Sequence, residues 1–284
     1  MFLLKKFCLS PESKVKSISN VLIFSLIITI TVLFISCSSD KEKNSSNLNT
    51  DTLVYHMEKV KKKYGNCDTV DAKCASVLLE YPVLDKTDSS RIDLLNSFMK
   101  ELITNGGYEE GENSSIEELC QVFFDDYKSM SSEYPDYPLS WSLERTINII
   151  YNTPEMISLK YHEFNFSGGA HPNYHTSLFT YDNKLQKFVN LGDIIGNKKN
   201  LKKLNKVAEK KFRQVWKLSE KEDLAEAGFW FDDNKFSLNN NFALVDSGII
   251  FFFNSYEIGP YAIGTTEIAL TNEELNSIKN AKNK

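Results

Sequence analysis

The sequence predicts an α+β protein with mixed or antiparallel sheets, three main helices and two closely packed subdomains. Strand-like and helix-like stretches come in clusters instead of alternating regularly along the chain. Three β-branched and aromatic runs, Trp141–Asn152, Met156–Phe166 and 174–181, are separated by short turns, which is typical of an antiparallel meander. The glycine patterns of dinucleotide-binding and phosphate-binding loops do not occur in the sequence, so a nucleotide-binding α/β fold is not indicated.

The chain begins with a targeting segment. Residues 1–20 are polar and basic, and residues 21–36 form an uninterrupted run of apolar and small hydroxyl side chains that ends at Cys37. This run of 16 residues is shorter than the roughly 20 that a membrane-spanning helix needs, so residues 1–36 are predicted to be a signal peptide. The alternative is an uncleaved membrane anchor, and either would hold the rest of the chain outside the cytoplasm.

The tetrad Phe-Ile-Ser-Cys that ends at Cys37 resembles the bacterial lipobox. The resemblance implies that Cys37 receives a diacylglycerol thioether, with palmitate as a fatty acid, and becomes the new N-terminus. Residues 37–51 contain one large apolar side chain, Leu48, and are predicted to be a flexible tether. The tetrapeptide Ser-Asp-Lys-Glu at 39–42 is similar to tags that send lipoproteins to the outer surface, so we expect a lipid-anchored protein of the outer membrane, on its periplasmic or exposed face.

The first part of the folded region is predicted to contain two strands followed by two helices. Residues 52–64 and 75–83 are predicted strands, and residues 88–104 and 115–130 carry apolar side chains at helical spacing. Glu117 and Glu118 would lie at the positive end of the second helix. These four elements precede the predicted meander.

Three of the five cysteines lie in the folded region. Cys67 and Cys74 flank a turn-rich segment, Asp-Thr-Val-Asp-Ala-Lys, and an oxidising envelope would let them form a disulfide. Cys120 shares a helical stripe with apolar residues, so it is predicted to be a core residue instead of a nucleophile. Cys8 leaves with the leader.

A turn interrupts the meander at residues 167–173. Gly168 and Gly169 permit backbone angles that are closed to other residues, and Pro172 has a fixed φ. The sequence therefore predicts a tight, specific turn between two strands, with His171 inside it.

The last third of the chain contains a helix, a hairpin and a closing strand and helix. A Leu-Gly-Asp-Ile-Ile motif leads to the predicted helix, the hairpin turns at Asp-Ser-Gly, and Thr271 caps the final helix. The predicted elements are a helix at 199–218, strands at Phe242–Val245, 249–254 and 265–270, and a helix at Asn272–Asn280.

Two parts of the chain resemble known domains. Residues 52–130, with the Cys-Cys hairpin, the Tyr-Pro-Val-Leu segment and the following helix, resemble the domain of unknown function 4163, a PdaC-like domain linked to deacetylases. Residues 161–270 resemble the domain of unknown function 3298 through Ser-Gly-Gly-Ala-His-Pro-Asn, Leu-Gly-Asp-Ile-Ile, Gly-Ile-Ile-Phe-Phe-Phe-Asn and Tyr-Glu-Ile-Gly-Pro-Tyr-Ala-Ile-Gly. The predicted domains are 52–138 and 139–284.

These resemblances imply an α+β fold in a cell-envelope setting. The two domains occur in the extracellular part of a lysozyme-sensing anti-sigma factor, beside the catalytic domain of some peptidoglycan deacetylases, and in many envelope lipoproteins. They imply an ectodomain without chemistry of its own that binds a peptidoglycan fragment or a cationic protein such as a lysozyme. This chain carries a lipobox where the anti-sigma factor has a cytoplasmic segment and a membrane span, so signal transduction is not predicted.

The charge balance agrees with a cationic partner. Without residues 1–36, which hold four lysines and one glutamate, the chain has 29 basic and 37 acidic residues, a net charge of −8. This acidity disfavours nucleic acid and anionic lipid surfaces as partners and suits a cationic one. Ordinary solubility is the alternative explanation.

The residues that could make this protein an enzyme do not fit the motifs of known enzyme classes. His171 and His175 have a spacing that converges on a metal only on a helix; on a strand the two side chains stand roughly 13 Å apart. Polysaccharide deacetylases take a metal-binding aspartate from a Phe-Asp-Asp-Gly-like motif, but the aspartate pairs at 125–126 and 232–233 are not followed by glycine. Ser167 does not lie in the Gly-x-Ser-x-Gly motif that holds the nucleophile of many hydrolases. We therefore predict no catalytic residue, metal or cofactor. A metal-dependent cell-wall polysaccharide deacetylase or hydrolase, and a purely structural envelope protein, remain the alternatives.

The candidate ligand-binding residues surround the central turn and a later Tyr-Glu-Ile-Gly-Pro-Tyr segment. His171 is interpreted first as a structural group that binds a neighbouring carbonyl, Glu257 or Glu267, and second as a ligand contact. Trp141 and two tyrosines would form either a platform for sugar rings or part of the core, and Glu257 is the first acidic candidate for a basic partner. The predicted set is Gly168, Gly169, His171, Asn173, Tyr256, Glu257 and Tyr261.

Overall fold

The computed structural model describes residues 52–68, 73–85, 90–106, 113–136 and 138–280. The predicted signal peptide, Cys37 and the tether up to residue 51 lie outside the described residues. Residues 47–284 form one compact unit that contains every described element, so this part of the chain carries its own hydrophobic core. Within the described ranges, no helix combines the length and the apolar character that crossing a bilayer requires.

Among the described residues, six strands and two helices precede residue 189: β1 (Tyr55–Gly65), β2 (Cys74–Leu84), α1 (Ser90–Asn105), α2 (Ile116–Glu133), β3 (Trp141–Asn152), β4 (Met156–Phe166), β5 (Asn173–Asp182) and β6 (Lys187–Phe188). The strands form the larger sheet, in the order β1-β2-β3-β4-β5-β6. Strands β3, β4 and β5 are antiparallel neighbours, which confirms the predicted meander, whereas β2 and β3 pair in parallel. A parallel pair needs a long crossover connection, and helices α1 and α2 supply it.

The predicted boundary at 138–139 falls between β2 and β3, inside this sheet. Hydrophobic packing divides the chain further along: one buried cluster runs from Leu53 to Tyr181, and a second runs from Leu191 to Ile278. The six-stranded sheet with α1 and α2 surrounds the first cluster. Mixed pairing, two sheets and several helices agree with the predicted α+β class.

A buried ion pair holds the end of α1 against the sheet. Helix α1 has no basic residue in its last turn, and Arg145 from β3 donates instead to the carbonyls of Ile103 and Thr104, at 3.1 and 2.6 Å. Arg145 Nε also donates to Glu163 Oε2 at 2.7 Å, and Tyr161 donates to the same oxygen at 2.6 Å. Helix-terminal carbonyls lack partners inside the helix, so a side chain from another element satisfies them here.

The second core lies between a three-stranded antiparallel sheet and a long helix. The Leu-Gly-Asp-Ile-Ile motif forms a short helix of its own, and the next helix buries Leu204, Ala208 and Phe212 completely. Its length and position confirm the predicted helix within a few residues at each end. The elements are α3 (Leu191–Ile195), α4 (Lys198–Val215), β7 (Phe242–Val245), β8 (Gly248–Phe253), β9 (Thr266–Thr271) and α5 (Asn272–Asn280).

Two asparagine side chains connect the sheets along the outer edge of β5. Asn254 accepts from the backbone N–H of Thr176 at 2.7 Å and donates to its carbonyl at 3.0 Å. Asn241 accepts from the N–H of Leu178 at 2.7 Å and also donates to the Thr176 carbonyl, at 2.8 Å. Strand β6 covers only the far end of β5, so these amides act as a substitute strand for the middle of that edge.

The cysteines of the described region differ in role. Cys67 and Cys74 are joined by a disulfide at the tip of the β1–β2 hairpin, with their Cα atoms 5.4 Å apart. Cys120 is buried on α2 inside the first cluster, and burial raises the pKa of its thiol. A buried thiol with a raised pKa is a packing residue and a poor nucleophile.

Candidate functional site

A small cleft opens where the turn after β4 meets the segment after β8. Its volume is about 230 Å³. Three of the predicted ligand residues line it, together with residues that the sequence analysis did not select for binding. The lining residues are Asn173, Tyr174, His175, Asn254, Ser255, Tyr256 and Tyr261.

The turn that precedes β5 brings His171 to the rim of this cleft. Gly168 and Gly169 have φ angles of 94° and 99°, in the left-handed region that favours glycine. A Cβ at Gly169 would meet no other atom within 4 Å, so glycine is favoured there by the backbone angle and not by lack of space. Neither glycine lines the cleft, and we assign them the shape of the turn instead of ligand contact.

His171 is held by one hydrogen bond on each ring nitrogen. Its Nδ1 lies 3.0 Å from the carbonyl oxygen of Pro172, and its Nε2 lies 3.3 Å from the hydroxyl of Tyr256. A carbonyl oxygen can only accept, so Nδ1 carries the hydrogen and, in the neutral ring, Nε2 accepts from Tyr256. Of the partners considered for His171, the structure shows a neighbouring carbonyl and neither Glu257 nor Glu267.

Two tyrosines complete an aromatic group, which we call the ring trio: His171, Tyr256 and Tyr261. The rings of His171 and Tyr261 stack with centroids 3.9 Å apart and planes 18° apart. Tyr261 also donates to the Pro172 carbonyl at 3.1 Å, and its ring lies 5.6 Å from that of Tyr256. The ring of Tyr256 remains accessible, because this residue is 54% exposed.

Tyr256 occupies a strained backbone conformation. Its φ of 67° lies in the left-handed region, which for a residue of this size costs on the order of 1–3 kcal/mol. Glu257 stabilises the turn: its carboxylate accepts from the backbone N–H of Asn254 at 2.8 Å and from the side chain of Asn239 at 2.6 Å. Both carboxylate oxygens of Glu257 thus hold the turn that carries Tyr256, while the side chain stays exposed.

The cleft has no formally charged lining. No Asp, Glu, Lys or Arg is among the described residues that line it. Burial, more than any other cause, lowers the pKa of His175 to about 4, so this imidazole is neutral at pH 7. Its Nε2 lies 2.8 Å from the hydroxyl of Ser177.

The beginning of β5 offers hydrogen-bonding groups to the cleft. The N–H and C=O of Thr176 face the outer edge of the strand, where they bond to Asn254. In a strand, the N–H and C=O groups of residues i and i+2 point to the same side, so those of Tyr174 face the same edge as those of Thr176. Neither group bonds to another described residue across that edge. Asn173 is exposed next to them, so the cleft combines amide groups with aromatic rings.

Several predicted candidates lie elsewhere. Trp141 is 7% exposed and packs against Phe123 and Tyr127 at centroid distances of 5.8 and 5.6 Å, so the core interpretation is the correct one for this residue. Asp125 is exposed on α2, where it accepts from Gln121. In the ranges that the structure describes, no three His, Cys, Asp or Glu side chains are grouped so that they could hold a metal ion.

The sequence analysis did not select four cleft residues for ligand binding: Tyr174, Asn254, Ser255 and His175, which it considered only as a metal ligand. Asn254 follows the apolar run Gly-Ile-Ile-Phe-Phe-Phe directly, and an amide at the end of a buried strand is a signal for a capped edge. Tyr174 stands next to Pro172 and Asn173, at the exit of the predicted turn. No sequence signal points to Ser255.

Comparisons with known proteins support the two resemblances. Residues 69–174 match the family model Deacetylase PdaC, and residues 192–273 match the model Protein of unknown function (DUF3298). The PdaC match continues past the predicted boundary at 138–139 and ends at the cleft. Asn173 and Tyr174 lie in the first match, and the cleft residues from Asn254 to Tyr261 lie in the second, so both matched segments build the cleft.

Solved structures share the fold. A crystal structure of a DUF3298 family member from Bacteroides fragilis NCTC 9343 is similar with a TM-score of 0.62 and 19% identity, over 80% of this chain and 94% of that one. A DUF3298 family protein from Pseudomonas aeruginosa PAO1 is similar with a TM-score of 0.57 and 16% identity, over 78% of this chain and 93% of that one. No curated protein sequence matches the chain.

Proposed function

We propose that this chain is a bacterial cell-envelope lipoprotein, anchored through Cys37, whose folded part binds the glycan portion of a peptidoglycan fragment in the cleft. It carries out no chemistry of its own. The observation that carries the proposal is the composition of the cleft, in which an accessible tyrosine ring and amide groups occur together without formal charge.

Acetylated amino sugars suit these groups. A pyranose ring presents C–H groups on its faces, and an aromatic side chain with a polar tip supplies a matching apolar face. The acetamido group has one N–H donor and one C=O acceptor, and the outward N–H and C=O of Tyr174 are complementary to such a pair. Asn173 and Ser255 can bond the sugar hydroxyls.

The size of the cleft agrees with recognition of a single ring. Its volume of about 230 Å³ is below the roughly 300–1,000 Å³ of pockets that enclose drug-sized ligands. A glycan strand would place one sugar in the cleft and continue over the surface. The strained, internally braced conformation of Tyr256 supports a binding role, because such strain concentrates at ligand sites.

The same composition favours a glycan over a cationic protein such as a lysozyme. A basic protein would need carboxylates at the binding site, but no Asp or Glu is among the described residues that line the cleft, and the exposed Glu257 already accepts a hydrogen bond on each carboxylate oxygen. Glu267 lies 3.8 Å from Lys160, which reduces its availability to another cation. A lysozyme-like partner therefore remains the second candidate.

Titration with a matched pair of variants tests the glycan proposal. We expect soluble N-acetylated peptidoglycan fragments to bind residues 47–284, and Tyr256→Ala to weaken the affinity by about tenfold, since an aromatic contact contributes roughly 0.5–1.5 kcal/mol beyond its buried area. Tyr134→Ala is the control, because Tyr134 is equally exposed, at 53%, but follows α2 far from the cleft in sequence.

Three results would contradict this proposal. The first is fragment binding that is equal in both variants and the unmodified protein. The second is saturable binding of a lysozyme without any binding of fragments. The third is release of acetate or cleavage of glycan by the purified protein, which would favour the deacetylase or hydrolase alternative. Mass spectrometry of the envelope fraction tests the anchor separately, and an unmodified Cys37 would overturn it.

A further inference from the structure

Positive charge in this acidic protein is concentrated on α4. The helix contains eight lysine and arginine residues and one glutamate. The whole chain has 33 basic and 38 acidic residues, so everything outside α4 has 25 basic and 37 acidic ones. The helix thus has a net charge of +7 in a chain whose remaining residues sum to −12.

Packing fixes which side of α4 faces solvent. Leu204, Ala208 and Phe212 are completely buried in the second core. Four exposed lysines follow the opposite side at intervals of four residues, and we call them the lysine row: Lys198, Lys202, Lys206 and Lys210. Because each residue of a helix advances the chain by about 1.5 Å, the row is roughly 18 Å long.

Acidic residues near the row are already neutralised. Glu209, the one acidic residue of α4, pairs with Arg213 at 2.9 Å, and Lys211 on a neighbouring side pairs with Glu274 at 3.0 Å. The four lysines of the row have no ion pair with any residue in the described part of the chain. Like charges four residues apart destabilise a helix, by about 0.2–0.5 kcal/mol per pair. The row therefore contains three consecutive repulsive Lys–Lys pairs that no ion pair within the described residues offsets.

We propose that the lysine row is a docking surface for an anionic lipid bilayer. A bilayer presents a plane of phosphate groups that several long lysine side chains on one side of a helix can approach together, and basic side chains near such a surface bind it electrostatically. Screening limits these interactions to about 8 Å at physiological ionic strength, so the local charge of the row decides the contact and the net negative charge of the body does not. The contact is weak by itself and orients the body on the membrane.

Vesicle co-sedimentation of residues 47–284 tests the docking surface without any lipid anchor. The vesicles consist of phosphatidylcholine, with or without phosphatidylglycerol. In the row variant, the substitutions Lys198→Gln, Lys202→Gln, Lys206→Gln and Lys210→Gln keep helix propensity nearly constant. The control variant removes the same charge elsewhere, at the exposed residues Lys100, Lys128, Lys235 and Lys279.

We expect binding only to vesicles with phosphatidylglycerol, and at least a tenfold lower partition coefficient for the row variant than for the control, since each lysine at an anionic surface changes affinity by roughly fivefold. High salt should abolish the binding. Circular dichroism and a thermal melt verify that both variants fold. Equal binding of the two folded variants would overturn the proposal, as would binding to phosphatidylcholine alone. Equal affinity for dispersed polyphosphate would also overturn the assignment to a bilayer.

Discussion

Two polar clusters near strand β4 differ in charge and in exposure to solvent. Arg145 and Glu163 form a charged pair that is buried, with each residue 8% exposed, and it anchors the end of α1. The ring trio, in the turn after β4 and the segment after β8, contains no Asp, Glu, Lys or Arg and includes the exposed Tyr256. The buried charges therefore hold the end of α1 against the sheet, whereas the ring of Tyr256 stays accessible to solvent.

The largest expected effect comes from breaking the buried pair. Glu163→Ala leaves the Arg145 guanidinium buried with only carbonyl partners, which we expect to lower the free energy of unfolding by about 3–5 kcal/mol. Urea denaturation followed by circular dichroism measures it. The control is Glu267→Ala, which removes an exposed partner of Lys160 and should cost at most about 1 kcal/mol. Similar losses in both variants would remove the distinction between the two kinds of charge.

Acid should destabilise the protein through His175, which lines the cleft and lies beside Glu163 in the β4–β5 register. The pKa of His175 is about 4 in the folded protein and 6.5 as its ordinary value, so the unfolded chain binds the proton first. Its contribution to stability is therefore present above pH 6.5 and is lost as the pH falls towards about 4.

Comparison with His175→Gln isolates this contribution from the titration of Asp and Glu residues. We expect the free energy of unfolding of this variant to fall less steeply between pH 6.5 and 4 than that of the unmodified protein. Parallel curves over this interval would show that the protein does not hold His175 in its neutral form.

The smallest expected effect is a stability difference between two variants of Tyr256, which distinguishes backbone strain from ligand contact at this residue. Glycine tolerates the φ of 67° and alanine does not, so Tyr256→Gly should be more stable than Tyr256→Ala by about 1 kcal/mol. Both variants lack the ring and should bind peptidoglycan fragments equally weakly. Chemical denaturation gives the stability difference. Equal stability would show that the turn relaxes without cost, and strong binding by either variant would show that the ring does not contact the ligand.

Much of the local structure was predictable. The boundaries of β3, β4, β7 and α5 agree with the sequence analysis, because alternating and helical patterns of apolar residues report directly which face is buried. The turn at Gly168 and Gly169 was predictable for a local reason, since its backbone angles suit few other residues.

Long-range relations were harder to predict. The parallel pairing of β2 with β3 joins segments separated by two helices, and no local pattern distinguishes it from a domain boundary. The net charge of the body argued against anionic surfaces, but it says nothing about how packing arranges lysines on one side of α4. In the site, Tyr256, Tyr261 and His171 were identified from the composition of two turns, whereas Asn254 and Ser255 were not.

Local sequence patterns specify the order and type of most elements, the turn before β5, the resemblance to two domain families and the residue types from which a binding site could be made. The folded structure adds that Trp141 is buried, that Glu257 stabilises a turn, and that His171 and Tyr256, 85 positions apart, meet in the ring trio. These two kinds of information differ in the range over which they act along the chain. Backbone angles and side-chain periodicity are local properties, but burial and hydrogen-bond partners depend on which distant segments share a core.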